Sequence, residues 1–143
     1  MADIVEFELV TPAKLLLAEP AEMVVIPGSE GDFGVLPGHA PLISAVRPGT
    51  VDIYQDGKVG ERIFVAGGFA EVSPDSCVLL AEEAVPVAEI DRAQTEQRLN
   101  DARERLDSAE AGSPEANNAE RRLKVEEAML AAVEGDAKGP ENR

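Results

Sequence analysis

One segment near the start of the chain, residues 27–42, limits the possible folds more than any other part. It reads PGSEGDFGVLPGHAPL and contains four glycines and three prolines around a small apolar set. Glycine adopts backbone angles that other residues avoid, whereas proline fixes φ and removes a hydrogen-bond donor. This density predicts a series of sharp reversals, and therefore an ordered corner of a folded domain rather than a flexible linker.

From residue 3 to about residue 87 the chain has the pattern of short strands separated by turns. Residues 5–9, VEFEL, alternate between apolar and acidic side chains, a period of two that buries one face of a strand. Asp56-Gly57 predicts a tight hairpin, and Gly67-Gly68 predicts a bulge or a close backbone approach. Short strands spaced about eight to twelve residues apart, with Gly and Pro between them, predict an antiparallel β-sandwich or barrel.

The period then changes to that of helices. Residues 89–111 contain no Gly or Pro, and their apolar residues recur at steps of three and four along one face. Gly112 is expected to end this helix, while Ser113 and Pro114 suit the cap and the first position of a second helix that ends at Gly135. The connection is so short that the two helices must form an antiparallel hairpin.

Three regions follow from these patterns: an antiparallel β-sandwich at residues 1–87, a two-helix hairpin at 88–135 and a frayed polar tail at 136–143. The fold class is therefore all-β followed by α, with the two kinds of element segregated. The seam of the hairpin is mostly alanine with a few leucines, so it buries little apolar area beside its ordering cost. We expect its docking to be reversible.

The composition is strongly acidic, with 28 Asp and Glu against 13 Lys and Arg and a formal net charge of −15. This sign disfavours binding to nucleic acids and to anionic lipids. No apolar run approaches the roughly 18 to 20 residues that span a bilayer, and the N-terminal residues resemble neither a signal nor a transit peptide. We expect a cytoplasmic protein that meets a membrane only through partners.

No catalytic or metal-binding constellation can be assembled from the residues. His39 is the only histidine and has no cysteine or acidic cluster at ligand spacing, which is typical of a turn histidine held by backbone groups. Glu82 and Glu83 are adjacent, but neighbours in a strand point to opposite faces and cannot easily act as a pair. The single cysteine, Cys77, lies in an apolar run and suits a small buried hydrophobe. The residues indicate a noncatalytic binding or structural module without a cofactor.

Four segments of the chain carry a resemblance to a known family. They are EGDFGVLPGHAPLI at residues 30–43, VAGGFAEV at 65–72, VLLAEEAV at 78–85 and EIDRA at 89–93. In this order they resemble the epsilon subunits of bacterial F-type ATP synthases. The resemblance implies a noncatalytic rotor subunit of the central stalk, peripheral to the cytoplasmic face of the inner membrane. It would link the gamma subunit to the ring of c subunits and couple proton translocation to ATP synthesis.

The resemblance also implies contact residues in the sandwich. By motif position, the loop tip that faces the polar loops of the c ring comprises Glu30, Gly31, Asp32 and Phe33. The face toward gamma comprises His39, Pro41 and Leu42. Acidic Asp32 would pair there with basic groups, a contact that favours orientation more than affinity. For Phe33 and Leu42, packing in the core is the alternative role.

The helices carry two further family functions, of which the first is regulatory binding of ATP. Ile90 and Asp91 match the family motif, but Arg92 stands two positions early, a shift of about 200° around a helix that directs it away from its place in the motif. The alternatives are a nucleotide site at Ile90, Asp91 and Arg92, or a plain helix start with an acidic residue favoured by the helix dipole.

The second helical function is inhibition of ATP hydrolysis by helices that extend toward the alpha and beta subunits of the catalytic head. Arg121, Arg122 and Lys124 are the residues that would meet acidic loops there. The same residues, with glutamates at i, i+4 spacing, also suit an ordinary solvated helix face. As a whole, the alternative function is a free-standing nucleotide-sensing or regulatory module.

Overall fold

The computed structural model describes residues 4–137, which fall in two compact units divided between Pro86 and Val87. The first unit is built from ten strands. They are β1 Val5–Val10, β2 Leu15–Ala21, β3 Met23–Gly28, β4 Gly31–Val35, β5 Leu42–Val46, β6 Gly49–Gln55, β7 Lys58–Val65, β8 Gly68–Ser73, β9 Ser76–Ala81 and β10 Ala84–Pro86. The second unit contains a single 3₁₀ turn, Val87–Glu89, and the helices α1 Arg92–Ser108 and α2 Pro114–Ala137. The predicted class, β-sandwich followed by helices, is confirmed.

The strands are hydrogen-bonded in the order β10-β7-β6-β3-β5-β8-β9-β1-β2, with β4 paired to β3 outside this path. Every pairing is antiparallel except that of β1 with β9, which is parallel. β3 is the branch point, because it pairs with β4 along its length and with β6 at one end, and meets β5 only where Gly28 lies opposite Val46. The turn after β3 is thereby brought beside the end of β5.

The core of the first unit follows the alternation in the sequence. In β1, the side chains of Val5, Phe7 and Leu9 are fully buried, while the intervening glutamates are exposed. Cys77 is also buried, which raises the pKa of its thiol to about 12 and suits the predicted role of a small core side chain. The further core side chains are Ala21, Val24, Ile26, Val35, Val46, Val51, Ile53, Ile63, Val65, Ala70, Val72, Leu79 and Ala81.

The turn chemistry of the sequence is realised at two places. Asp56 and Gly57 both have positive φ, 56° and 77°, and close the two-residue turn between β6 and β7. Gly67 and Gly68 have φ of 122° and 147°, and a Cβ atom on Gly68 would lie 1.9 Å from the carbonyl oxygen of Leu80. The predicted close backbone approach at this pair is therefore present, and only glycine fits there.

α1 is shorter than expected at both ends, because it is capped by Asp91 and ends with Ala109 as its C-cap rather than at Gly112. Asp91 has extended backbone angles and its side chain accepts a hydrogen bond of 3.0 Å from the amide of Gln94, so α1 begins only at residue 92. The Oγ of Ser113 accepts a hydrogen bond of 3.1 Å from the amide of Ala116 and starts α2 as predicted. α2 includes the first two residues of the predicted polar tail, and residues 138–143 lie outside the described residues.

Within residues 4–137, none of the helices has both the length and the hydropathy needed to cross a membrane. Over the same residues, no group of three or more His, Cys, Asp or Glu side chains has an arrangement that could hold a metal ion.

Candidate partner-binding surfaces

The tip of the β3–β4 hairpin carries the first set of predicted contact residues. Ser29 and Glu30 form a two-residue turn between the paired residues Gly28 and Gly31, and Gly31 has a φ of 129° that favours glycine. Glu30 and Asp32 are both exposed. In the described part of the chain Glu30 has no hydrogen-bond or ion-pair partner. The tip thus presents one unpaired carboxylate to solvent.

Arg47, directly after β5, holds this tip. Its Nη2 donates a hydrogen bond of 2.7 Å to Oδ1 of Asp32, and its Nη1 donates one of 2.6 Å to the carbonyl oxygen of Gly28. Its backbone amide donates a hydrogen bond of 2.9 Å to the carbonyl oxygen of Pro27. The backbone amide of Ser29 donates one of 2.9 Å to the carbonyl oxygen of Ala45. Asp32 is therefore already paired within the chain, which the sequence pattern did not reveal.

Phe33, also predicted at the tip, is half-buried and packs against the core of the sandwich. Its ring lies over Gly28, because a Cβ atom on that glycine would come within 2.9 Å of Phe33 Cε1. Core packing, the alternative role from the sequence, therefore accounts for the position of this side chain. Its proposed contact with a partner stays a prediction.

The second set of predicted residues lies in the turn that leads into β5. The Nδ1 of His39 donates a hydrogen bond of 2.8 Å to the carbonyl oxygen of Ala40, and the His39 amide donates one of 3.1 Å to that of Leu36. This is a turn histidine held by backbone groups. Pro41 and Leu42 are exposed, Leu42 by 38%, at the first residue of the strand.

A larger feature that sequence analysis missed continues from this turn across the outer face of the sheet. We call it the apolar band and define it as Ile43, Phe69, Leu80 and Leu15, which are 72%, 59%, 51% and 55% exposed. Phe69 lies directly opposite Ala45 of β5 and Leu80 of β9, and Leu80 lies opposite Val10, which pairs in turn with Leu15. The uninterrupted run CVLLA of β9 was the available signal, because a half-buried strand would alternate with polar residues.

The residues of the predicted nucleotide site are engaged in structural contacts of α1. Asp91 is the N-cap described above, and Arg92 forms ion pairs with Glu96 at 3.4 Å and Glu134 at 3.0 Å. The amide of Ile90 donates a hydrogen bond of 3.2 Å to Val87. A separate open groove of about 860 Å³ runs along α1 and α2, and it includes none of the three predicted residues.

The predicted inhibitory residues separate into two kinds. Arg121 and Lys124 are exposed, whereas Arg122 donates a hydrogen bond of 2.8 Å to Oε2 of Glu126. Glu126 is fully buried and accepts a second hydrogen bond of 3.1 Å from Nε of Arg98 on α1. Of the two alternatives that the sequence left open, the ordinary solvated face does not hold at Glu126, because this carboxylate is buried and paired with an arginine of each helix.

The comparisons with known proteins agree over most of the chain. Residues 4–87 match the family model described as ATP synthase, Delta/Epsilon chain, beta-sandwich domain. The ATP synthase epsilon chain of Rhodospirillum rubrum is 50% identical over 94% of this chain and 100% of its own length. That of Paramagnetospirillum magneticum is 52% identical over 93% of this chain and 99% of its own length.

Two solved assemblies contain similar chains. One is a chain of the mitochondrial ATP synthase of Euglena gracilis, in its OSCP/F1/c-ring structure, with a TM-score of 0.80 and 27% identity over 93% of this chain and 83% of that chain. The other is a chain of the central stalk/c-ring structure of Tetrahymena thermophila mitochondrial ATP synthase. It has a TM-score of 0.57 and 16% identity over 90% of this chain and 96% of that chain, a likeness of fold alone.

Proposed function

The chain belongs to the ATP synthase delta/epsilon chain family, and on this premise we propose that it is the noncatalytic subunit that links gamma to the c ring in the central stalk of a bacterial F-type ATP synthase. In this role it turns with gamma and the ring and so couples proton translocation to ATP synthesis in the catalytic head. It is held at the cytoplasmic face of the inner membrane by its partners.

The observation that carries the proposal is the apolar band. Four large apolar side chains, each more than half exposed, form this band, three of them on the adjacent strands β5, β8 and β9 and the fourth, Leu15, on β2 beyond β1. Exposed apolar patches on small proteins mark interaction sites, because leaving them in water is unfavourable. The band begins beside the residues assigned to gamma by motif, since Ile43 directly follows Leu42 in β5, but the side chains of these two neighbours point to opposite faces of the strand. We therefore assign the apolar band to the gamma-binding surface and keep His39, Pro41 and Leu42 as the gamma contacts that the family motif implies.

The hairpin tip is assigned to the c ring. A tight two-residue turn that exposes a carboxylate is suited to contact polar loops, because charges at the rim of an interface favour correct orientation and rapid association.

The regulatory part of the proposal concerns the helices. In the closed hairpin, Arg121 and Lys124 are the cations available to the catalytic head, because Arg122 is committed to Glu126.

The test is association of this chain with the gamma subunit of the same enzyme, measured by size-exclusion chromatography and titration. We expect a one-to-one complex. The variant Phe69→Glu places a charge in the centre of the band and is expected to weaken the affinity about thirtyfold or more, the effect of losing a central aromatic contact of about 2 kcal/mol.

The matched control is Asn100→Glu, which adds the same charge at an exposed position of α1. It is expected to bind gamma like the unmodified chain. Separate elution of the unmodified chain and gamma would overturn the proposal and direct the search to a ligand of the isolated chain, beginning with ATP. Equal binding by Phe69→Glu and the control would remove the apolar band from the gamma surface.

A further inference from the structure

Arg47 is placed where one side chain can fix the conformation of the β3–β4 tip. Its two terminal nitrogens reach two different acceptors, the carbonyl oxygen of Gly28 at the start of the turn and the carboxylate of Asp32 just after it. The planar guanidinium is well suited to this task, because its donors have a fixed spacing and each bond is charge-assisted. The residues between these two anchors are Ser29, Glu30 and Gly31.

The backbone around Arg47 adds to this constraint. The Arg47 amide and the Ser29 amide donate hydrogen bonds of 2.9 Å across β3 and β5, on either side of the only paired position that these strands share. β3 and β5 thus have little ladder of their own at this point. The side chain of Arg47 supplies the remaining connection between β5 and the tip.

The same contacts divide the charges of the tip. Asp32 is neutralised at 2.7 Å by Arg47, whereas Glu30 has no partner within residues 4–137. Two carboxylates and one guanidinium leave a net charge of −1 at the tip. We call the two hydrogen bonds of the Arg47 side chain, to Gly28 and to Asp32, the clamp. The unpaired charge of Glu30 lies in the turn between these two contacts.

We propose that Arg47 is a positioning residue of the c-ring contact, which holds Asp32 within the chain and aims Glu30 at a basic group on the partner loop. This inference rests on the proposed function and assigns separate roles to the two acidic residues of the tip. Asp32 acts through Arg47 on the shape of the turn, and Glu30 provides the charge that a cationic partner meets.

The first experiment uses the full chain alone and measures amide hydrogen exchange. Arg47→Ala is expected to speed exchange at Ser29 about fivefold, the effect of losing roughly one net hydrogen bond. Arg47→Lys keeps the positive charge but not the paired guanidinium donors. Its exchange rate at Ser29 is expected to lie between those of the unmodified chain and Arg47→Ala. The control is Arg62→Ala, which removes the same charge from an ion pair with Asp52 elsewhere in the sandwich. An unchanged exchange rate at Ser29 in Arg47→Ala would show that the Arg47 side chain does not hold the turn.

The second experiment measures association of the full chain with ATP synthase from which this subunit has been removed. Arg47→Ala makes the tip more negative, so a role of charge alone predicts equal or tighter binding to a basic loop. Positioning predicts the opposite sign, about fivefold weaker binding, which Arg47→Lys restores in part. Equal or tighter binding by Arg47→Ala would refute the proposal while leaving the proposed function intact.

The variants Glu30→Gln and Asp32→Asn form a matched pair, because each removes one negative charge from the tip. Glu30→Gln is expected to reduce the salt dependence of the association rate. Asp32→Asn retains an acceptor oxygen for Arg47 and is expected to keep that dependence. Identical behaviour of the two variants contradicts the division of roles. Failure of the unmodified chain to bind contradicts the proposed function instead, so the two failures are distinguishable.

Discussion

Replacing the buried carboxylate of Glu126 by leucine is expected to stabilise the helical unit. The side chain of Glu126 is 0% exposed, and both of its ion pairs end on one oxygen, Oε2. The other oxygen, Oε1, is buried and has no hydrogen-bond partner among the described residues. A carboxylate in this position has lost its hydrogen bonds to water, and the hydrogen bonds from the protein replace only part of them.

The change in the free energy of unfolding depends on Glu126 and on the two arginines that pair with it. The unpartnered oxygen costs about 1–3 kcal/mol, and leucine regains about 2 kcal/mol by apolar burial. The side chains of Arg98 and Arg122 are 39% and 31% exposed, so their guanidinium groups can return to water when Glu126 is absent. After the lost charge-assisted bonds are set against these gains, we expect Glu126→Leu to raise the free energy of unfolding by about 1–2 kcal/mol.

Removing the arginine from the same pair is expected to have the opposite sign. Arg122→Leu deletes the 2.8 Å partner and leaves the buried Glu126 carboxylate with Arg98 alone. A buried charge that loses a partner is strongly destabilising, and we expect about 2–3 kcal/mol because one arginine remains. The two ends of one interaction thus differ in sign because only one of them is fully buried.

The assay is urea unfolding of the full chain followed by far-ultraviolet circular dichroism, with hydrogen exchange to assign the change to α1 and α2. Glu127→Leu is the control, because the neighbouring carboxylate is exposed. If the helices must separate to inhibit hydrolysis, Glu126→Leu should also raise the ATP hydrolysis of the assembled enzyme. A loss of stability of more than about 1 kcal/mol in Glu126→Leu relative to the control would mean that the buried ion pair stabilises the hairpin more than an apolar side chain does.

Two further predictions concern residues of the sandwich, Gly68 and Glu19, with Gly135 of α2 as the comparison for the first. Gly68→Ala is expected to cost about 3 kcal/mol or more in urea unfolding, because its Cβ would meet the Leu80 carbonyl oxygen at 1.9 Å. Gly135→Ala, which meets nothing within 4 Å, should stabilise α2 by up to about 1 kcal/mol, and equal effects at the two glycines would contradict this account. Burial, then a hydrogen bond and charge repulsion from Glu61, raises the pKa of Glu19 from 4.5 to about 7. The stability gained from protonated Glu19 is therefore complete below about pH 4.5 and lost as the pH rises through about 7. Glu19→Gln should flatten this part of the stability profile measured by urea unfolding, and an unchanged profile would exclude Glu19 as its source.

Local signals in the sequence were sufficient for the fold class and for most elements, but not for β4, Gly31–Val35, which lies in the segment that predicted only reversals. Alternation predicted β1, the Asp56-Gly57 pair predicted the β6–β7 turn, and Ser113 predicted the start of α2. Each of these depends on residues within one or two turns of chain, where sterics and capping act directly. The parallel pairing of β1 with β9 was not predicted, because it joins segments about 70 residues apart and leaves no mark in either one.

The contacts at the candidate sites could not be predicted from the sequence either, because they also join residues that are far apart along the chain. Arg47 reaches Gly28 across 19 residues, and Arg98 reaches Glu126 across 28. A charged residue at helical spacing is usually solvated, so the sequence pattern of α2 gave no sign that Glu126 is buried. The family resemblance located the tip, but which of its acidic residues is paired depends on where β5 ends in three dimensions.

The two units are stabilised in different ways, and this difference suits the two parts of the proposed function. The sandwich has a continuous core of fully buried branched and aromatic side chains, which is appropriate for a unit that transmits torque without deforming. The hairpin is held partly by alanines and by a buried carboxylate that is incompletely paired. Because opening the hairpin returns the Glu126 carboxylate to water, separating α1 from α2 costs less free energy than it would with an apolar side chain at this position. A subunit with a rigid rotor contact and a helical pair that opens at modest cost can regulate hydrolysis without leaving the stalk.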